Sequence, residues 1–210
     1  MNPIIHKIKE QKIVPLFYNE SFDVSKSIVK ALYEAGIRVI EYTNRGEKAL
    51  HNFSKLKEIS ETEFPDLILG IGTVKNAFEL KSYADAKADF IITPIINQEL
   101  IDSAKEENIL LIPGTFTPSE VNLAYQNDLQ LVKVFPADAV GKNYIKSIKP
   151  VFAGMEFMPT GGVTPEIEDI NEWLKGGAIA VGQGSALIGA NSTSEEIKSK
   201  TQHLLNLLNS

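Results

Sequence analysis

The stretch Gly36-Ile37-Arg38-Val39-Ile40-Glu41-Tyr42-Thr43-Asn44-Arg45 packs a helix stop, a strand and a polar strand end into one segment. Gly36 suits the left-handed turn that ends a helix. Residues 39–43 are rich in β-branched and aromatic side chains, which favour a strand. Working backward, Val24, Ile28, Ala31 and Leu32 share one face at helical spacing. Working forward, Leu50, Phe53, Leu56 and Ile59 do the same. The segment therefore reads helix, strand, helix.

That unit repeats along the chain. Short apolar runs occur at residues 13–18, 39–43, 67–71, 90–93, 109–112, 131–135, 157–160 and 178–181, with starts 19–28 residues apart. Thr117-Pro118-Ser119-Glu120 carries a cap, a proline at the first helical position and a glutamate at the third. Thr164-Pro165-Glu166 reads as a similar start for the helix after strand seven, and Gly176-Gly177 as the stop before strand eight. Residues 1–12 read as a short helical extension. Eight βα repeats predict an α/β fold, a (β/α)8 (TIM) barrel, forming a single domain over residues 1–210. The alternative, a doubly wound open sheet, often has a glycine-rich first turn. Here strand one runs into Tyr18-Asn19-Glu20-Ser21.

The 210 residues are 43% hydrophobic and 23% charged, an ordinary globular balance that excludes a disordered chain. No apolar run approaches the roughly 18 residues that span a bilayer. The opening MNPIIHKIKEQ lacks the apolar stretch of a secretion signal, so a cytoplasmic protein is expected. A net charge of −6 argues against a nucleic-acid partner. There are no cysteines, and His6, His51 and His203 lie far apart, so neither thiolate chemistry nor a zinc site is expected.

Charges inside barrel strands need a reason, and two strands contain one. Lys133 shares a face with Leu131 and Phe135, and Glu41 shares one with Val39 and Thr43. Ile40 and Tyr42 are then left to pack beneath the helices. Taking an ammonium out of water is costly and favours the free amine, the form that attacks carbonyls. A structural Lys133–Glu41 ion pair is the plain alternative. Arg45 adds more cation than such a pair requires, and its guanidinium suits a carboxylate; alternatively it is a solvated surface arginine.

Gly70-Ile71-Gly72-Thr73 brings a hydroxyl and close backbone to the end of strand three, or else forms a tight turn with Thr73 as a cap. Thr93-Pro94 and Pro113-Gly114 shape the rim. Strands seven and eight end in Thr160-Gly161-Gly162-Val163 and Gly182-Gln183-Gly184-Ser185. Barrel enzymes frequently bind phosphate at these two loops, although ordinary tight turns also use such residues.

With these motifs in this order, the chain resembles the class I 2-keto-3-deoxy-6-phosphogluconate (KDPG) aldolases, including those that also cleave 4-hydroxy-2-oxoglutarate. The resemblance runs from about residue 14 to 188. It rests on the Gly36–Arg45 stretch, Gly70-Ile71-Gly72-Thr73-Val74, Ile112-Pro113-Gly114 with Thr117-Pro118-Ser119-Glu120, Lys133-Val134-Phe135-Pro136-Ala137, Pro159-Thr160-Gly161-Gly162-Val163 and Gly184-Ser185. It implies that Lys133 forms a Schiff base, that Glu41 shuttles protons and that Arg45 with Thr73 holds a carboxylate. Pro94 would line the pocket, Phe135 the aldehyde side and Thr160 the substrate hydroxyls. Gly161, Gly162, Gly184 and Ser185 would hold a phosphate. The implied partner is a keto-acid sugar phosphate; the implied assembly is a homotrimer that needs no metal or cofactor. The competing readings are a 2-keto-3-deoxy-6-phosphogalactonate aldolase, a non-covalent phosphate-binding isomerase or synthase that uses Glu41 as base, and a non-catalytic binder. A binder has no need of a buried amine.

Overall fold

A computed structural model describes residues 2–210; Met1, the first residue of the expected extension, lies outside them. Asn2 caps helix α1 (Pro3–Gln11), its side chain accepting from the Ile4 N–H, and Pro3 takes the first helical position. Strand β1 (Ile13–Phe17) leads to α2 (Phe22–Glu34), β2 (Val39–Thr43), α3 (Ala49–Glu63), β3 (Ile68–Gly72), α4 (Ala77–Asp85), β4 (Phe90–Ile92) and α5 (Gln98–Glu106). Then come β5 (Leu110–Ile112), β6 (Gly114–Thr115), α6 (Pro118–Gln126), β7 (Leu131–Val134), α7 (Ala137–Val140) and α8 (Asn143–Ile148). The chain ends with β8 (Glu156–Pro159), α9 (Ile167–Lys175), β9 (Val181–Gln183) and α10 (Ser194–Asn209).

All strand pairs among the described residues are parallel. One sheet has the order β5-β4-β3-β2-β1-β9 and the other β6-β7-β8. The fifth strand, expected over residues 109–112, forms as β5. The two-residue β6 is an addition to the expected strands, and between the two lies Pro113, which has no N–H to donate to a ladder. Its carbonyl still accepts from the Lys133 N–H at 2.9 Å. Between the sheets, the Ile179 N–H donates to the Phe157 carbonyl at 3.0 Å, and Thr160 bridges Gly182.

Several expectations need correction. The last strand begins at Val181 rather than 178, because its partner β1 begins opposite it, at Ile13. Pro165 does not open a helix. Asp169 instead accepts from the Thr164 N–H and hydroxyl, and α9 starts at Ile167. Val24 and Leu50, in the first turns of their helices, are exposed. The Thr117–Glu120 capping box forms as read, and Gly36 adopts φ +108° after α2.

Side-chain alternation sorts the core into two layers. Ile40, Tyr42, Leu69, Ile71, Ile91, Val132, Val134 and Val181 face the helices. Val14, Val39, Phe90, Ile92, Ile112, Leu131 and Met158 face one another, and Ile5 and Ile8 of α1 join this second cluster. The extension thus closes the end of the fold opposite the strand C-termini, and each buried isoleucine contributes roughly 1.5–3 kcal/mol. Gln11 ties it down: its Oε1 accepts from the N–H groups of Arg38 and Val39 at 2.6 and 2.9 Å.

Candidate functional site

The inward face of β2 turns polar toward its C-terminal end, running from Val39 through Glu41 to Thr43, all buried. On β7 the same alternation runs from Leu131 to Lys133, which is registered against Gly114 on one side and Met158 on the other. The two charged side chains meet, with Lys133 Nζ 3.9 Å from Glu41 Oε1 and side-chain exposures of only 7% and 1%. Lys133 Nζ also lies 5.1 Å from the centre of the Phe135 ring.

Among the described residues neither carboxylate oxygen of Glu41 has a hydrogen-bond partner. Removal from water therefore dominates and pushes this carboxyl above the usual glutamate range. The positive charges of Lys133 and Arg45 oppose that shift without reversing it. A carboxyl that keeps its proton at higher pH, next to an amine, can give and take protons at a carbonyl bound between them.

Arg45 is exposed just past β2. The turn that carries it is fixed by the Asn44 N–H, which donates to the Gly72 carbonyl at 2.8 Å, and by the Tyr83 hydroxyl, which donates to Asn44 Oδ1 at 2.8 Å. Among the described residues the Arg45 guanidinium has no acidic partner within ion-pair distance. Thr73 follows β3 at φ +64°, an unusual conformation for a β-branched residue and the kind of strain that clusters at ligand sites. Pro94 is half-buried beyond β4. There Gly114 passes so close that a Cβ on it would lie 2.5 Å from the Pro94 carbonyl carbon.

Thr160, immediately after β8, is buried, and its hydroxyl has no hydrogen-bond partner among the described residues. Gly161 and Gly162 follow at φ +94° and +75°. The Ala137 and Asp138 N–H groups of α7 donate to the Thr160 and Gly161 carbonyls at 3.0 and 3.1 Å, joining the loop after β7 to the loop after β8. Gly184 is half-buried beyond β9, and Ser185 is exposed.

The structure thus brings Lys133 Nζ close to both the Glu41 carboxyl and the Phe135 ring. It sets Arg45, Thr73, Pro94, Thr160 and the glycine loops on segments that leave the C-terminal ends of their strands. Two glycines do more than the sequence indicated. A Cβ at Gly72 would stand 1.7 Å from Glu41 Oε1, and one at Gly182 would stand 2.3 Å from Thr160 Oγ1. Tyr83, which holds the Arg45 turn, reads in the sequence as an ordinary core aromatic on its helix.

The profile of the KDPG and KHG aldolase family matches residues 4–203. The chain is 36% identical over 154 residues to the KHG/KDPG aldolase of Escherichia coli K12, covering 73% of this chain and 70% of that protein. Among solved structures, the 2-keto-3-deoxy-6-phosphogluconate aldolase of Zymomonas mobilis ZM4 with 3-phosphoglycerate superimposes with a TM-score of 0.87 at 28% identity, over 98% of this chain and 96% of that one. The KDPG aldolase of Legionella pneumophila, with pyruvate captured as a covalent carbinolamine intermediate, gives 0.84 at 27% identity, over 95% and 94%.

Proposed function

This chain belongs to the KDPG and KHG aldolase family, and from that premise we propose that it is a class I aldolase, a lyase that cleaves 2-keto-3-deoxy-6-phosphogluconate to pyruvate and glyceraldehyde 3-phosphate through a Schiff base on Lys133. The observation that carries this reading is the 3.9 Å approach of Lys133 Nζ to a buried, unpartnered Glu41 carboxyl.

The free amine of Lys133 attacks the C2 ketone, giving a carbinolamine. Glu41 donates a proton to its hydroxyl, which leaves as water, and a protonated imine remains. That cation draws the electrons of the C3–C4 bond while the Glu41 carboxylate accepts the C4 hydroxyl proton, directly or through a water. The bond breaks to an aldehyde and an enamine. Glu41 returns its proton to C3, and water then hydrolyses the imine, releasing pyruvate and the free amine. A carboxyl lifted by burial suits both halves of this cycle.

Arg45 and Thr73 bind the substrate carboxylate and so turn the ketone toward the amine. Pro94 lines that end, Phe135 shapes the aldehyde side, and Thr160 takes a substrate hydroxyl, which accords with its unpartnered Oγ1. Gly161, Gly162, Gly184 and Ser185 hold the phosphate. Cleavage of 4-hydroxy-2-oxoglutarate to pyruvate and glyoxylate uses the same chemistry without that subsite.

The two sheets complete one closed (β/α)8 barrel in a single domain. Support comes from the carbonyl of Pro113, which continues the ladder to β7, and from the Thr160–Gly182 bridge between β8 and β9. The expected assembly is a homotrimer in the cytoplasm. Exposed Phe78, Ile95 and Phe116, all on segments that follow strand ends, offer apolar surface for it. Among the described residues no helix is long and apolar enough to cross a membrane.

Borohydride reduction in the presence of pyruvate tests the reading. The expected result is the mass of one reduced pyruvate on the peptide that carries Lys133. An unmodified protein overturns the covalent route and leaves a non-covalent isomerase or synthase.

A further inference from the structure

Alternation along β9 puts Gln183 on the same face as Val181, which packs beneath the helices, and on the opposite face from Gly182. Such a position calls for an apolar side chain, yet Gln183 is fully buried there. Its Nε2 donates to the Thr164 carbonyl at 3.0 Å, while its Oε1 has no donor among the described residues. A buried amide satisfied at one end only is a poor packing choice beside valine or leucine. The bond it does make is the feature left to account for it.

Thr164 closes the stretch Gly161-Gly162-Val163-Thr164. It is gripped from the far side as well: its N–H and hydroxyl donate to Asp169 Oδ2 at 2.7 and 3.1 Å, and Asp169 pairs with Lys142 at 2.6 Å. At its other end, the backbone of Gln183 runs directly into Gly184-Ser185. Beyond the isolated Thr160–Gly182 bridge, the Gln183–Thr164 bond is, among the described residues, the link between the two glycine loops.

We propose that Gln183 is a positioning residue that sets the spacing between these two loops, and with it the preference for a phosphorylated substrate. A tetrahedral dianion held by both loops needs donors from each at hydrogen-bond distance at once, a tolerance of about 0.5 Å. The amide of Gln183 is rooted in one loop and bonded to the other, so it fixes their separation without touching the ligand. This inference rests on reading the loops as the phosphoryl subsite.

The test compares wild type with Gln183→Leu in pyruvate condensation, using glyceraldehyde 3-phosphate and unphosphorylated glyceraldehyde as acceptors. The expected result is a KM raised about tenfold for the phosphorylated aldehyde alone, with kcat, the KM for glyceraldehyde and borohydride trapping by pyruvate within twofold of wild type. Inhibition by inorganic phosphate should weaken in parallel. Equal changes for both aldehydes, or none for either, overturn the inference while leaving the aldolase reading intact. A wild type that does not prefer the phosphorylated aldehyde overturns the subsite reading and this inference together. Should Gln183→Leu not fold, Asp169→Asn decides: it loosens Thr164 from the opposite side and should show the same selective rise in KM.

Discussion

Glu41 Oε1 occupies the space that a side chain on Gly72 would need, since a Cβ there would lie 1.7 Å from that oxygen and 2.5 Å from the carboxyl carbon. The bare backbone of Gly72 lets the carboxyl lie against the end of β3 with Oε1 3.9 Å from Lys133 Nζ. Gly72→Ala should therefore swing the Glu41 carboxyl away from Lys133 Nζ. Steady-state assays should show kcat down by about 10²–10⁴-fold, the range lost with a general acid–base. Chemical denaturation should show a loss of only about 1–3 kcal/mol, typical of overpacking. Unchanged kcat would remove Glu41 from the proton shuttle.

Lys133→Met removes the amine but keeps an unbranched apolar stem among Leu131, Phe135 and Met158. The remaining Glu41 carboxyl can stay neutral there, so a folded protein with a native circular dichroism spectrum is expected. Turnover should fall below detection, and borohydride with pyruvate should leave the variant unmodified. Retained cleavage would refute the Schiff base.

Much of this layout was legible in the chain itself. The alternation Val39-Glu41-Thr43 and Leu131-Lys133-Phe135 set both charges on inward faces, because period-2 side-chain direction is a local property. Strand existence was equally local, carried by β-branched runs. Strand limits were not. Residues 178–180 look like strand, but β1 begins only at Ile13 and leaves them no β1 partner, and the two-residue β6 beyond Pro113 carries no apolar run of its own. The spacing of Glu41 against Gly72, Tyr83 against Asn44 and Gln183 against Thr164 depends on how separate units pack, and no sequence periodicity reports it.

The titration of Glu41 ties activity to stability. Burial, opposed by Lys133 and Arg45, lifts its folded-state pKa above the unfolded value. The unfolded chain then binds fewer protons than the native one over the interval between the two values, so unfolding free energy falls as pH rises through it. The contribution of this carboxyl is fully present below the unfolded pKa and is lost as pH climbs through the folded one. Glu41→Gln does not titrate. Urea denaturation at pH 4, 6 and 8 should therefore show the Gln variant gaining on wild type as pH rises, while its activity stays low throughout. A pH-independent gap would show that Glu41 ionises normally in the fold.

In the proposed mechanism Arg45 acts on binding more than on the chemical step. Hydrogen bonds to charged groups contribute about 1.5–3 kcal/mol, so Arg45→Ala should raise the KM for keto acids by roughly 10–100-fold. Both phosphorylated and unphosphorylated substrates should be affected alike, since each presents the same carboxylate. Arg45→Lys should recover only part of the loss, because an ammonium cannot form the bidentate fork. An unchanged KM in the alanine variant would return Arg45 to the role of a surface residue.

Thr73 sits at φ +64° with a β-branched side chain, a conformation that glycine adopts freely and threonine adopts under strain. Such a residue costs about 1–3 kcal/mol and persists where the surrounding structure holds it. Thr73→Gly relieves that strain while deleting the hydroxyl assigned to the substrate carboxylate. Stability and affinity should therefore move in opposite directions: thermal unfolding at or above the wild-type midpoint, and a KM for keto acids raised several-fold. Thr73→Ala separates the two effects, since it keeps a Cβ in the strained conformation but lacks the hydroxyl. It should match the glycine variant in KM and fall below it in thermal stability. If alanine and glycine at this position bind substrate as well as threonine does, the hydroxyl has no part in holding the carboxylate, and the strained backbone needs another explanation.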